Sequence, residues 1–528
     1  MKKTIALVLA CLMCVALFAG CASDSSSGGG SNAAADGKVL TIAIDGEPNS
    51  LDCVMDTDDK VSEVVYGSVF EKLVAFTGED EVIPELAESF DISEDNTVYT
   101  YKLREGVKFH NGDEMTADDV VASMNRWIDN AENAQSLTGD ARFEKVDDYT
   151  VQITLDKGTL YLNEMIAGLG QQAAIMPASV VESLDEGALI EDYIGTGPYM
   201  YEEWLPDQYI KLVANPDYAP YGSEGDYSGW GGYKTAWYDE VYFYFPGDPS
   251  TMVDGLRTGE YDLINVVGAD QYSVFDGDDA FTMFSAETEE QMLIFNKEQG
   301  VASNPLVRQA VQAVVNSDDL LYAAKGNEEL YNTYSSYMFK ESANWYTEAG
   351  SEFYNQNDPD KAKELFDEAG WTEDDTFRIL VDSDANDYNA EALVIQEELR
   401  GIGVNCEVLA YDSDTYRDIR NNKPGEWDAF ITGFGPKVLP NMNLYLSASW
   451  AGKCADERIQ SDLAAIAAES ELSAAQQIWN DLQQYMYEEY VPVVLFGTTQ
   501  RVGVHTSDLT GAIMKERMVW VDVHPVEG

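Results

Sequence analysis

Three short stretches decide how this chain is read: Pro84-Glu-Leu-Ala-Glu-Ser89, Tyr99-Thr-Tyr-Lys-Leu-Arg-Glu-Gly-Val-Lys-Phe-His-Asn-Gly112 and Thr116-Ala-Asp-Asp-Val120. Residues 98–103 predict a strand, and Lys108-Phe-His-Asn-Gly112 predicts a strand-to-turn junction whose geometry His110 fixes. Thr116 predicts a helix start, because its hydroxyl caps free N–H groups while Asp118 and Asp119 face the positive end of the helix dipole. Val120, Met124 and Trp127 then share one apolar face. Beyond the helix, Tyr149, Val151, Ile153 and Leu155 alternate with Thr150, Gln152 and Thr154, the pattern of a half-buried strand.

Working outward, residues 39–44 read as a buried strand followed by a turn at Glu47-Pro48-Asn49-Ser50. Residues 209–213 and 241–245 predict further strands. Then the texture changes. Asn304-Pro305 and Asp358-Pro359 are each a cap with proline at the first helical position, where no N–H is missed. A strand at 377–381, a helix at 388–400 and a strand through Val404, Cys406 and Val408 imply a parallel pair with a right-handed crossover. A strand at 427–434, a helix at 472–487 and a last buried strand at 491–496 follow. The chain is therefore α/β, with a β-rich first half and an alternating second half.

Composition narrows the function. The chain has 528 residues, enough for two or three substructures, with 95 Asp and Glu against 32 Lys and Arg, a net charge of −63. So anionic a surface repels nucleic-acid backbones, which excludes a nucleic-acid partner. No apolar run is long enough to span a bilayer. Three scattered histidines and, beyond the N-terminal region, three isolated cysteines without CxxC or HxxxH spacing predict no zinc site and no other cofactor. Cys53, Cys406 and Cys454 are the cysteines beyond the N-terminal region, and spacing does not decide whether Cys406 and Cys454 pair.

The N-terminus reads as an address. Lys2 and Lys3 precede an uncharged run over 4–18, then Ala19, Gly20 and Cys21, then a Ser/Gly tract to residue 36. This arrangement resembles a bacterial lipoprotein signal, with Phe18 where the family usually has Leu. The resemblance implies cleavage after residue 20 and a diacylglycerol on the Cys21 thiol. The tract over 21–36, as a flexible coil, reaches roughly 20 Å.

From about residue 38 onward the chain resembles the extracytoplasmic solute-binding proteins of family 5, the peptide- and nickel-type ABC importers. The resemblance rests on the block over 84–120 and, in order, on Gly195-Thr-Gly-Pro-Tyr199, Asn215-Pro-Asp-Tyr218, Gly259-Glu-Tyr-Asp262, Asn304-Pro-Leu-Val-Arg-Gln-Ala310, the stretch 361–371 ending in Gly370-Trp371, and Gly401-Ile-Gly-Val404. It implies a two-lobed periplasmic-binding-protein-like fold of type II, in the large cluster with an extra α+β subdomain. The implied parts are a discontinuous lobe I over 37–75, 191–285 and 495–528, an inserted subdomain over 76–190, and a lobe II over 286–494. Crossing strands near 285–290 and 490–496 would form the hinge.

The implied function is a monomeric, lipid-anchored binding protein on the extracellular or periplasmic side of the cell membrane. It captures peptides between its lobes, passes them to ABC permease subunits and performs no catalysis. The same scaffold serves relatives for oligosaccharides, nickel complexes, haem or other small solutes, so a non-peptide solute is the alternative. A secreted hydrolase with paired carboxylates is a remote one. Candidate ligand contacts are the turn Glu47, Pro48 and Asn49; Val267 and Gly268 after the strand near 262; Gln291 beside the first crossing strand; and Phe434, Gly435 and Pro436. Peptide binders of the family carry an Asp-Pro after the last of these stretches, whose Asp pairs with the peptide α-ammonium. Here Leu439 precedes Pro440, so that anchor is missing or displaced to another acid such as Glu47.

Overall fold

A computed structural model describes residues 38–526, apart from 186 and 343; the expected signal segment 1–20, the lipidation site Cys21 and the 21–36 tract lie outside the described residues. One mixed sheet of eleven strands, counted among the described residues, organises the backbone. From one edge its path runs through Cys406–Tyr411, Phe377–Asp382, Ala429–Phe434, Phe281–Phe295 and Val493–Thr506. It continues through Leu263–Ile264, Val39–Ala43, Glu240–Tyr244 and Tyr209–Ala214 to Tyr199–Leu205. The eleventh strand, Tyr331–Asn332, pairs with Val493–Thr506 off this path.

The two central strands belong to both halves. Phe281–Phe295 is 15 residues and Val493–Thr506 is 14, so each extends for roughly 45–50 Å. They pair antiparallel along nearly their whole length, with register shifts between Glu287 and Glu289 and between Gln291 and Met292. Such irregularities bend and twist a strand. On one side of the shifts Phe281–Phe295 pairs with Ala429–Phe434; on the other, Val493–Thr506 pairs with Leu263–Ile264. The hydrophobic clusters divide the same way. One joins Leu40, Trp127, Ile153, Phe243 and Trp520; two others join Phe295, Ile379 and Phe496, and Trp345, Phe430 and Trp479. The result is two lobes on a continuous sheet.

The expected last strand at 491–496 is instead Val493–Thr506, and short strands follow it. Its partner across residues 285–290 is the stretch 498–502. Thr498, Thr499, Gln500 and Arg501 end the apolar run, yet Thr498 and Thr499 are buried. Thr498 donates to the Glu287 carboxylate at 2.7 Å, and the Arg501 guanidinium to Asn265 O and Asp45 at 3.3 Å. The polar side chains are satisfied by tertiary partners that local patterning does not display. Before this strand, a π-helical turn at Met486–Tyr490 ends at Val491, with φ +47°. Such a conformation is costly for a β-branched residue. Arg308 braces it by donating to Tyr490 O and Val491 O at 2.6–3.0 Å.

The predicted strand–helix–strand unit is present as Phe377–Asp382, Asn386–Gly401 and Cys406–Tyr411, with the two strands parallel. Val404 lies in the turn after Gly403 rather than in the strand. Cys53, Cys406 and Cys454 are buried free thiols, so Cys406 and Cys454 are unpaired.

Residues 87–154 build a satellite sheet, in the order Ala87–Ile92, Val98–Leu103, Thr150–Thr154 and Phe143–Asp147, with the helix Ala117–Asn130 packed beside it. Thr116 caps that helix reciprocally with Asp119, whose carboxylate accepts from the Thr116 N–H at 2.9 Å. A cap of this kind stabilises a helix by about 1 kcal/mol. His110 does structural work. Its Nδ1 accepts from the Gly195 N–H at 3.2 Å, so Nε2 carries the proton and donates to Gly197 O at 3.1 Å. Burial holds its pKa down near 4, which keeps the ring neutral. Gly195 and Gly197 are glycines because a Cβ at either would come within about 2 Å of the Val69 or Ser68 carbonyl oxygen.

Candidate functional site

A cavity of about 410 Å³ lies where the lobes meet, within the range of small-molecule sites, about 300–1,000 Å³. Its floor is the first central strand at Ala286 and Glu287. Phe76, Tyr161, Glu164 and Trp230 wall one side, and Trp345, Pro436 and Lys437 the other. The two walls touch, since the Tyr161 and Trp345 rings lie 5.7 Å apart between centroids. A neighbouring cavity of about 300 Å³ shares Leu169, Pro436, Lys437 and Val438 and reaches Trp127 and Gln171. Another of about 500 Å³ shares Glu287 and runs toward Tyr334 and Tyr354. The shared residues make these one continuous cleft.

Local sequence explains how the walls are placed. Tyr161 is the N-cap residue of the short helix Leu162–Ala167, and Glu164 sits in its first turn, so the two share a side at i, i+3 spacing. The strand Ala429–Phe434 runs into Gly435-Pro436, which stops the ladder. Lys437 then turns back, its ammonium donating to Gly435 O at 3.0 Å and Pro436 O at 3.3 Å. Glu287 accepts from Asn332 and Thr498, both at 2.7 Å. Lys515 pairs with Asp80 at 3.3 Å. Tyr161 Oη and Glu164 Oε2 are buried without a hydrogen-bond partner. Burial raises the Glu164 pKa.

The residues singled out from the sequence separate into two groups. Gly435 and Pro436 line the cleft. Phe434 precedes them with its ring 5.6 Å from Tyr445 and 5.7 Å from Trp450. Gln291 lies one strand away, opposite Gly433, and its Oε1 is buried without a partner. The other group sits at the C-terminal ends of the parallel strands Val39–Ala43 and Leu263–Ile264, outside the cleft lining. There the Glu47 carboxylate accepts from Trp204 Nε1 at 2.6 Å and from the Asp207 N–H at 3.1 Å. Pro48 is buried and Asn49 exposed. Val267 packs in a lobe I cluster with Ala43 and Met252, and Gly268 opens the turn before Gln271. Leu439 is 1% exposed and packs into lobe II, so no carboxylate stands at that position. Tyr161, Glu164, Trp345 and Lys437 escaped sequence reasoning. They fall on loops and on one short helical turn, with no motif to mark them.

Two lobes on a shared sheet, with a cleft between them, define an extracytoplasmic solute-binding protein fold. The model of the bacterial extracellular solute-binding proteins, family 5, middle region, matches residues 81–453, and the chain belongs to that family. It is a solute-binding protein, not an enzyme. A probable peptide ABC transporter periplasmic-binding protein of Sinorhizobium fredii is 26% identical over 478 residues, 86% of this chain and 87% of the relative. The substrate-binding protein CtaP of Listeria monocytogenes superposes with a TM-score of 0.80 at 22% identity, over 93% of this chain and all of that one. DppA of Helicobacter pylori, solved with the peptide STSA, gives 0.71 at 24% identity, over 92% and 98%. Among the described residues no helix is long and apolar enough to cross a membrane, and no cluster of His, Cys, Asp and Glu is arranged to hold a metal.

Proposed function

We propose that this protein captures peptides between its lobes and delivers them to the permease subunits of an ABC importer, acting as a monomer tethered to the membrane through a lipid on Cys21. The observation that carries the reading is the continuous cleft floored by the shared strands and walled by both lobes. Ligand contacts made from both walls exist only when the lobes are together, so binding shifts the population toward closure. The peptide-binding names of relatives matched over most of the chain support the ligand class. In the partition into lobe I (37–75, 191–285, 495–528), insert (76–190) and lobe II (286–494), lobe I and the insert share one hydrophobic cluster, while lobe II carries two others, one of which also takes in Tyr161 of the insert. The hinge is the stretch of the central strands around the register shifts at 287–292. For the tether, the support is the Lys-Lys, apolar, Ala-Gly-Cys order of residues 2–21.

Native mass spectrometry of freshly purified protein tests the ligand class. A ladder of peptide masses is expected; a single sugar or metal-chelate mass contradicts it.

A further inference from the structure

We propose that Glu391 and Glu289 form a proton switch at the hinge: the closed lobes hold one proton on this carboxyl pair, and opening releases it. This rests on the hinge reading of the central strands. Glu391, on the helix Asn386–Gly401 of lobe II, is fully buried, and neither oxygen of its carboxyl has a hydrogen-bond partner. One turn earlier on that helix, Tyr388 donates to Glu289 Oε1 at 2.7 Å, which brings Glu289 to the face that carries Glu391. Gln291 Nε2 donates to Glu289 Oε2 at 3.2 Å. Gly433 makes room for the arrangement, since a Cβ there would lie 2.1 Å from Glu289 Oε1. Glu289, with two donors, therefore holds the charge, and Glu391, with none, takes the proton. Burial first, and then the Glu289 charge, raise the Glu391 pKa well above its ordinary 4.5.

The other charges around the pair are engaged elsewhere. On the same helix Asp387 pairs with Lys325 of the helix Ser317–Lys325 at 2.5 Å, Glu398 accepts from the Asn316 N–H, and Arg400 pairs with Glu397. Asp318 and Asp319 accept from Asn355 and Asn316. Beneath the helix, Arg378 pairs with Asp428, Asp382 accepts from Ser413, Glu407 is exposed, and Ala429–Phe434 carries no charged residue. Arg308 donates to Tyr490 O and Val491 O. On the central strand Glu287 accepts from Asn332 and Thr498, and Glu290 from Tyr334. Glu289 lies between the two register shifts, so a bend there moves it against the helix. Opening carries Glu289 away and admits water to Glu391, which lowers its pKa toward the ordinary value. Closure thus takes up a proton, and rising pH above 4.5 disfavours it by at most about tenfold per pH unit.

Spin labels on two exposed positions, Arg257→Cys in lobe I and Glu364→Cys in lobe II, report lobe separation in the full-length protein by double electron–electron resonance. From about pH 5 to pH 9 the long-distance population of the ligand-free protein is expected to grow at least tenfold relative to the short one. In the same labelled background, Glu391→Gln is expected to abolish that shift and Glu289→Gln to reduce it. A distribution that pH leaves unchanged overturns the switch. So does a shift that survives in Glu391→Gln or, should that variant not fold, survives undiminished in Glu289→Gln. Addition of oligoalanines of two to six residues separates the switch from the hinge reading. If the peptides shorten the distance while pH does not, only the switch falls; if neither moves the labels, the hinge reading falls with it.

Discussion

The rings of Tyr161 and Trp345 meet at 5.7 Å between centroids, tilted by 51°, one from the inserted subdomain and the other from lobe II. Their contact joins the two walls of the cleft. An aromatic pair of this kind contributes about 0.5–1.5 kcal/mol beyond its buried area. A double-mutant cycle with Tyr161→Leu and Trp345→Leu is therefore expected to show a coupling of that size in ligand affinity. Strictly additive losses would mean that the pair does not report on closure.

A second prediction concerns the insert. Asp52 is fully buried and accepts from Arg126 Nη1 at 3.1 Å and from the Ile190 N–H at 3.0 Å, tying the segment after the first strand to the helix Ala117–Asn130. Asp52→Ala leaves a buried guanidinium without its partner and is expected to cost about 3–5 kcal/mol in urea unfolding. Replacing both residues, by Leu and Met, is expected to cost less than the single change. A larger loss in the double variant would contradict this.

Stability should also carry a pH signature at the hinge. Glu290, on the first central strand, is 2% exposed, and burial pushes its pKa from an ordinary 4.5 to about 8 despite the hydrogen bond it accepts from Tyr334 at 2.8 Å. Between those values the folded state holds a proton that the unfolded chain has released. Stability from this group therefore falls as pH rises, by at most about 1.4 kcal/mol per pH unit. Glu290→Gln removes that slope, so the variant is expected to gain on the wild type steadily from pH 5 to pH 8 in urea midpoints. Parallel curves would show that Glu290 is ionised throughout.

The tether is tested separately. Cys21→Ser is expected to abolish incorporation of labelled fatty acid and to release the protein from the membrane fraction, with peptide affinity unchanged. Undiminished labelling of the variant would remove Cys21 as the lipid site.

Much of this architecture was legible in the residues. The Thr116 cap, the alternation over 149–155 and the 377–408 crossover depend on neighbours in sequence, and local chemistry decides them. The strand Val493–Thr506 was cut short because Thr498 and Arg501 are satisfied by Glu287 and Asp45, more than 200 residues away in the chain. The cleft was the least legible part. Gly435 and Pro436 stood out through proline and glycine chemistry, whereas Tyr161, Glu164 and Trp345 acquire their meaning only where two lobes converge. Glu47 shows the reverse. It looked available as a turn acid, but Trp204 and the Asp207 N–H consume its carboxylate.

The central claim is closure over a bound solute. Small-angle X-ray scattering on protein stripped of ligand by mild unfolding and refolding, then titrated with a saturating oligopeptide, measures it directly. The account predicts a fall in radius of gyration on addition of peptide, to the value calculated for the closed lobes. An unchanged curve at a concentration where calorimetry shows saturation would contradict it.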